Sequence, residues 1–179
     1  MTLSRREAIV AATLFAAMGA RRTLAGTART IDRRVRSENR SYGLTFAAEL
    51  PSDDSLFGHA FIVWQREDDL KKMSTADAIG FYPTGEPKDI EVIFGTSGGL
   101  ETDFATMADL KLTVLLNSDL YTVALDRKAK WMANGRYSLL WQNCTTHVAD
   151  IAKSIGLNSS NGKWEKPQNY VADLIKNNQ

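Results

Sequence analysis

Apolar positions between Tyr42 and Leu125 come in short runs broken by Gly, Pro and charged clusters, whereas those beyond Cys144 recur every three or four residues. The first pattern predicts strands and the second predicts helices. Tyr42 to Glu49 and Ala60 to Trp64 are rich in aromatic and branched residues, and the second run is bounded by Gly58 and by the charged turn Arg66-Glu67-Asp68-Asp69. Ala76 to Tyr82 and Ile90 to Phe94 read as further strands, stopped by Pro83, Gly85 and Pro87 and then by Gly95, Gly98 and Gly99. Leu112 to Leu116 and Leu120 to Leu125 read the same way, and Asp126 to Asn134 reads as a short helix ending at Gly135. Tyr137 to Trp141 leads into Asn143-Cys144-Thr145-Thr146-His147, after which Val148, Ile151, Ala152 and Ile155 mark a helix running to Gly156. A last helix covers Asn169 to Ile175, just behind Pro167. Strands first and helices last make an α+β class, an antiparallel sheet with helices packed on one side.

The chain ahead of Tyr42 follows a different logic. Ser4-Arg5-Arg6-Glu7-Ala8-Ile9-Val10 gives way to a nearly uncharged run through Ala20, then to small residues at Leu24-Ala25-Gly26. A basic start, a short apolar stretch and a small-residue cleavage point are the parts of a signal peptide. The run is shorter than the roughly 20 residues that a bilayer span needs, and its apolar residues cover every face rather than one stripe. The paired arginines resemble a twin-arginine address, read by the Tat export machinery through residues 4–10. The expectation is a signal peptide over residues 1–25, a basic and flexible leader over 26–41, and one domain over 42–179 without a transmembrane anchor, working in the periplasm or outside the cell.

Losing Arg5, Arg6, Arg21, Arg22 and Glu7 from 22 basic and 21 acidic residues moves the net charge from +1 to about −2. That balance does not suit a nucleic-acid binder. Arg29, Arg33, Arg34, Arg36 and Arg40 form a local basic stretch, most simply a solvated leader.

The chain has one cysteine, Cys144, and two histidines, His59 and His147. A lone thiol bound for an oxidising compartment is either buried or used. Asn143 is placed as an N-cap, so Cys144 opens a helix, where unpaired N–H groups and the helix dipole favour a thiolate and can hold an oxyanion. A nucleophilic Cys needs an imidazole to take its proton and return it to a leaving group. His59, between the small Gly58 and Ala60 at the start of a strand, can face the thiol across a cleft. His147, three residues after Cys144, points along its own helix and is assigned to packing or capping.

A Gly-His strand early and an Asn-Cys helix start late, reached through Tyr137-Ser138-Leu139-Leu140-Trp141-Gln142, resemble the circularly permuted papain-like superfamily, which includes permuted NlpC/P60 and LRAT-type enzymes and periplasmic domains of Gram-negative bacteria. The likeness spans about residues 42–157. It implies Cys144 as nucleophile, His59 as base, and a third polar residue that orients the imidazole. No histidine lies between His59 and His147 to fill that role. A hairpin turning near Leu70 and Lys71 brings Tyr82 opposite His59, while Gln65 shares a strand face with His59 by its period of two. Tyr82, Gln65 and Asn143 are therefore the orienting or oxyanion candidates.

The expected activity is an exported cysteine hydrolase or acyltransferase acting on an amide or ester bond, with a peptidoglycan peptide as first substrate. Lipid or lipoprotein acyl transfer and a non-catalytic binding domain are the alternatives. Neither a cofactor nor a metal is expected: Gly95-Thr96-Ser97-Gly98-Gly99 lacks the lysine of a phosphate loop and reads as a mobile loop beside the cleft, and Cys144, His147 and His59 lack zinc-ligand spacing. Trp64, Trp131, Trp141 and Trp164 read as core and edge aromatics, of which an exposed one can stack on a sugar.

Overall fold

The computed structural model describes residues 27–34, 42–51, 57–66, 77–102 and 108–179. The signal peptide expected over residues 1–25 and the turn expected near Leu70 and Lys71 lie outside the described residues. The elements are strands β1 (Thr27–Asp32), β2 (Tyr42–Glu49), β3 (His59–Gln65), β4 (Asp77–Pro83), β5 (Thr96–Thr102), β6 (Leu110–Leu116) and β7 (Arg136–Tyr137). The helices are α1 (Asp89–Phe94), α2 (Ser118–Ala133), α3 (Cys144–Ser154) and α4 (Pro167–Asn177). The strands form one seven-stranded sheet in the order β1-β6-β2-β3-β4-β5-β7, antiparallel except where β1 runs parallel to β6. The class is α+β.

Side-chain alternation explains which face holds the core. Along β6, Leu110, Leu112, Val114 and Leu116 are buried while the residues between them are half-covered. They join Leu44, Phe46, Ala60, Ile62 and Trp64 of β2 and β3 against Val148, Ile151, Ala152 and Ile155 of α3 and Tyr170, Val171, Leu174 and Ile175 of α4. Both helices thus lay their apolar stripes on one side of the sheet. The other side carries a smaller cluster of Ala47, Phe61, Val63 and Ala78.

Three expectations are corrected. Ile90 to Phe94 is helical: Glu91 accepts the backbone N–H of Lys88 at 2.9 Å in a capping box, and Asp89 and Glu91 put negative charge in the first turn. Leu120 to Leu125 lies inside α2, whose N-cap Asn117 accepts the N–H of Leu120 at 3.0 Å, so the helix starts well before Asp126. The glycine run read as a mobile loop is β5. A Cβ on Gly98 would come within 2.7 Å of Phe81 and 2.8 Å of Tyr137, so the glycines serve close packing.

The leader is corrected as well. Thr27–Asp32 adds an edge strand, and Arg33 continues the ladder by donating its N–H to Leu115 O at 2.9 Å. The Arg33 guanidinium donates to the carbonyls of Ile155 and Gly156, each at 2.9 Å. A cation there satisfies the carbonyls of the C-cap residue Ile155 and of Gly156 just past the end of α3, and complements the negative end of its dipole. Arg34 pairs with Asp32, whose carboxyl is held down at about 2, chiefly by the Arg34 side-chain hydrogen bond.

Candidate functional site

The site begins at the tight turn ahead of α3. Ser138 and Gln142 exchange backbone hydrogen bonds of 2.9 Å each, and the turn is anchored to α1 by Leu139 N–H to Val92 O at 2.8 Å and Ser138 Oγ to Ile93 O at 2.9 Å. Asn143 then caps the helix. Its Oδ1 accepts the N–H of Thr146 at 3.0 Å, its own N–H donates to Thr146 Oγ1 at 2.7 Å, and its Nδ2 donates to Leu139 O at 2.7 Å. These bonds tie the Asn143 side chain to the turn and the cap. With Thr146 and His147 N–H groups taken by Asn143, the first-turn N–H groups without an intrahelical acceptor belong to Cys144 and Thr145.

His59 reaches the thiol from β3. Gly58, at φ +70°, turns the chain into that strand, and a Cβ there would stand 2.3 Å from the carbonyl oxygen of Glu49. Only glycine meets both demands. Cys144, 8% exposed, and His59 line one cavity. Burial pushes the thiol up, but the His59 charge and hydrogen bond, the Ala60 backbone N–H and the Thr145 hydroxyl pull it down, and the balance leaves it below the ordinary thiol value. A thiol lowered in this way in one cavity with an imidazole has the chemistry that nucleophilic catalysis requires.

Of the two candidates for an orienting residue, one lies beside His59. Phe61 pairs with Gly80 in the β3–β4 ladder, so His59 falls opposite Tyr82, and their rings stack at 4.2 Å with planes 20° apart. Gln65 is corrected: it ends β3 about 20 Å along the strand from His59, and it accepts a hydrogen bond from Thr45 Oγ1 at 3.4 Å in the core. His147 is fully buried, edge-on to Trp131 at 5.2 Å and tilted against Phe81 at 6.1 Å. Burial drives its pKa down to about 3, so it stays neutral at physiological pH.

Sequence reasoning missed Tyr137. It ends β7 and lines a cavity of about 120 Å³ together with His59, Cys144, Thr145, Trp164 and Lys166. Its hydroxyl is pushed well up by burial and by the negative charge of Cys144, which keeps it neutral. The only signal was its place seven residues before Cys144, too little to separate it from a core aromatic.

Among the described residues no group of three or more His, Cys, Asp and Glu is placed to hold a metal ion, and no helix is long and apolar enough to cross a membrane. Comparisons with family models, curated proteins and solved structures gave no match.

Proposed function

We propose that the chain is an exported cysteine hydrolase or acyltransferase of the cell envelope, built on a circularly permuted papain-like fold and acting first on peptidoglycan peptides. The observation that carries this reading is that Cys144, the first residue of a capped helix, and His59, the first residue of a separate strand, line one cavity, where the His59 charge lowers the thiol. The order of a histidine strand followed by a nucleophile helix supports the permuted form. The paired arginines at positions 5 and 6 support export to the periplasm or beyond.

In the proposed reaction the Cys144 thiolate adds to an acyl carbon and the carbonyl oxygen takes the negative charge. The N–H groups of Cys144 and Thr145, left without an intrahelical acceptor, and the Tyr137 hydroxyl in the same cavity are the candidate donors to that oxygen. His59 gives its proton to the departing amine or alkoxide as the tetrahedral intermediate collapses to a thioester. Water, deprotonated by His59, then releases the acid; an acceptor amine or alcohol in its place makes the reaction an acyl transfer. Phe57, Leu139, Trp164 and Pro167 make much of the cavity wall apolar, but Glu165 and Lys166 add charge to it, and that charge favours a peptide over a lipid chain.

The test is digestion of purified peptidoglycan with the folded protein and with Cys144→Ala, followed by labelling of new amino termini. New termini with the first and none with the second support the reading. Equal products from both, or none from either, refute a peptidase. The near-burial of Cys144 favours a second reading, a binding domain that keeps the fold. It gains ground if neither protein produces termini and the thiol also resists alkylation.

A further inference from the structure

Two tryptophans that the proposed reaction does not use stand near the thiol: Trp164 lines its cavity, and Trp141 packs against Trp164 from outside that cavity. Trp141 is 53% exposed and Trp164 38% exposed, and their rings meet edge to face at 4.9 Å. In that arrangement the ring that contributes its edge keeps both faces clear of its partner. Trp164 is also the one described residue other than glycine with a positive φ, +62°. A bulky side chain in the left-handed region is a true outlier, and such strain persists where the surroundings over-determine it, often at ligand sites.

The surroundings are visible. Gly162, at φ +68°, fits so tightly that a Cβ would lie 2.6 Å from the carbonyl oxygen of Thr145, next to the nucleophile. Asn161 Oδ1 accepts the N–H of Lys163 at 2.9 Å, and Ser160 Oγ accepts that of Gly162 at 3.2 Å. The Gly162 contact sets the segment against the start of α3, the two hydrogen bonds fix its local turn, and Trp164 follows as a wall of the cavity.

Trp164, Glu165 and Lys166 are shared walls. On one side lies the cavity with Cys144; on the other lies a groove of about 300 Å³. The far wall of that groove is a stripe of α4, Asn169, Asp173 and Asn177, spaced by one helical turn and exposed. A flat aromatic surface next to a row of amide and carboxylate groups complements a ring with one apolar face and a rim of hydroxyl and acetamido groups. It does not complement a lipid chain, which offers nothing to the polar row.

We propose that Trp164, backed by Trp141, and the polar stripe of α4 form a sugar-binding subsite continuous with the thiol cavity, which takes an N-acetylated hexosamine. The inference rests on the reading of Cys144 as the nucleophile for a glycan-peptide substrate, since the subsite then places the glycan beside the bond to be cut.

The probe is a soluble trimer of N-acetylglucosamine, titrated into Cys144→Ser protein with tryptophan fluorescence and indole N–H resonances as readouts. Cys144→Ser leaves sugar binding independent of the chemistry, so a failed hydrolase reading and a failed subsite give different results. The expected result is saturable binding that shifts two indole signals and weakens about tenfold or more in Trp164→Gly. Glycine accepts the +62° backbone, so this variant removes the indole without adding strain. Its circular dichroism, matching that of the parent, verifies the fold. No binding, binding that Trp164→Gly leaves unchanged, or association with phosphatidylglycerol vesicles without any response to the sugar would overturn the proposal.

Discussion

His147 makes this protein sensitive to acid in a way that can be isolated. Its imidazole is fully buried among Phe81 and Trp131, and neither ring nitrogen has a hydrogen-bond partner among the described residues. Its pKa falls from 6.5 to about 3, first through burial and then through the His59 charge, partly offset by Asp150, with Lys128 lowering it further. The unfolded chain therefore takes up a proton below pH 6.5 that the folded chain refuses until about pH 3. Folding stability is complete above pH 6.5 and falls as pH drops through that window, by about 1.4 kcal/mol per pH unit and about 5 kcal/mol in all. That is comparable with the whole stability of a small domain, roughly 5–15 kcal/mol. His147→Leu keeps the volume nearly constant and removes both unpartnered nitrogens, so it should be at least as stable at pH 7. Urea unfolding of both proteins between pH 7 and pH 4 is the assay. The wild type should lose about 3 kcal/mol more than the variant over that range. Parallel curves would refute a neutral, buried His147.

Other substitutions test the frame around the thiol. Gly58→Ala sets a Cβ against the Glu49 carbonyl oxygen at a left-handed φ, and it should cost about 2 kcal/mol or more in chemical denaturation. Asn143→Ala removes the cap of α3 and should cost about 1 kcal/mol while slowing alkylation of Cys144, since the thiol loses its fixed place at the helix start. Tyr82→Leu takes away the ring on which His59 rests and should slow alkylation at neutral pH, whereas Tyr82→Phe keeps the stacking and most of the rate. Equal rates in Tyr82→Leu and wild type would remove Tyr82 from the site.

How much was legible in the sequence depended on whether a signal was local. The span Tyr42–Glu49 was readable because Tyr42, Leu44, Thr45 and Phe46 cluster aromatic and branched residues ahead of Pro51, and the start of α3 was readable because Asn143 followed by a helical apolar period is a capping signature. The pairing of His59 with Tyr82 followed from simple hairpin register. Short apolar runs were ambiguous. Ile90 to Phe94 carries β-branched residues, and its helical state is decided by the charges of Asp89 and Glu91 and by the box closed at Lys88. Leu120 to Leu125 contains Tyr121, Thr122 and Val123, yet the Asn117 cap and burial of Tyr121 and Ala124 select helix. Tertiary features left no local trace. Gly98 and Gly99 look like loop residues until Phe81, Tyr137 and Thr84 are seen to need their space, and nothing in Lys163-Trp164-Glu165 marks a left-handed tryptophan. Arg33 looked like part of a solvated basic leader because its acceptors, Ile155 and Gly156, lie more than 120 residues away.

The central claim is that His59 and the start of α3 activate Cys144. The most direct measurement is the rate of iodoacetamide alkylation of Cys144 across pH in the folded protein and in His59→Ala. The account predicts a midpoint below the roughly 8.5 of a free cysteine in the wild type, and a return to that value or above in His59→Ala, where burial acts without its counter-charge. A wild-type midpoint at or above that of a free cysteine, or one that His59→Ala leaves in place, would contradict it.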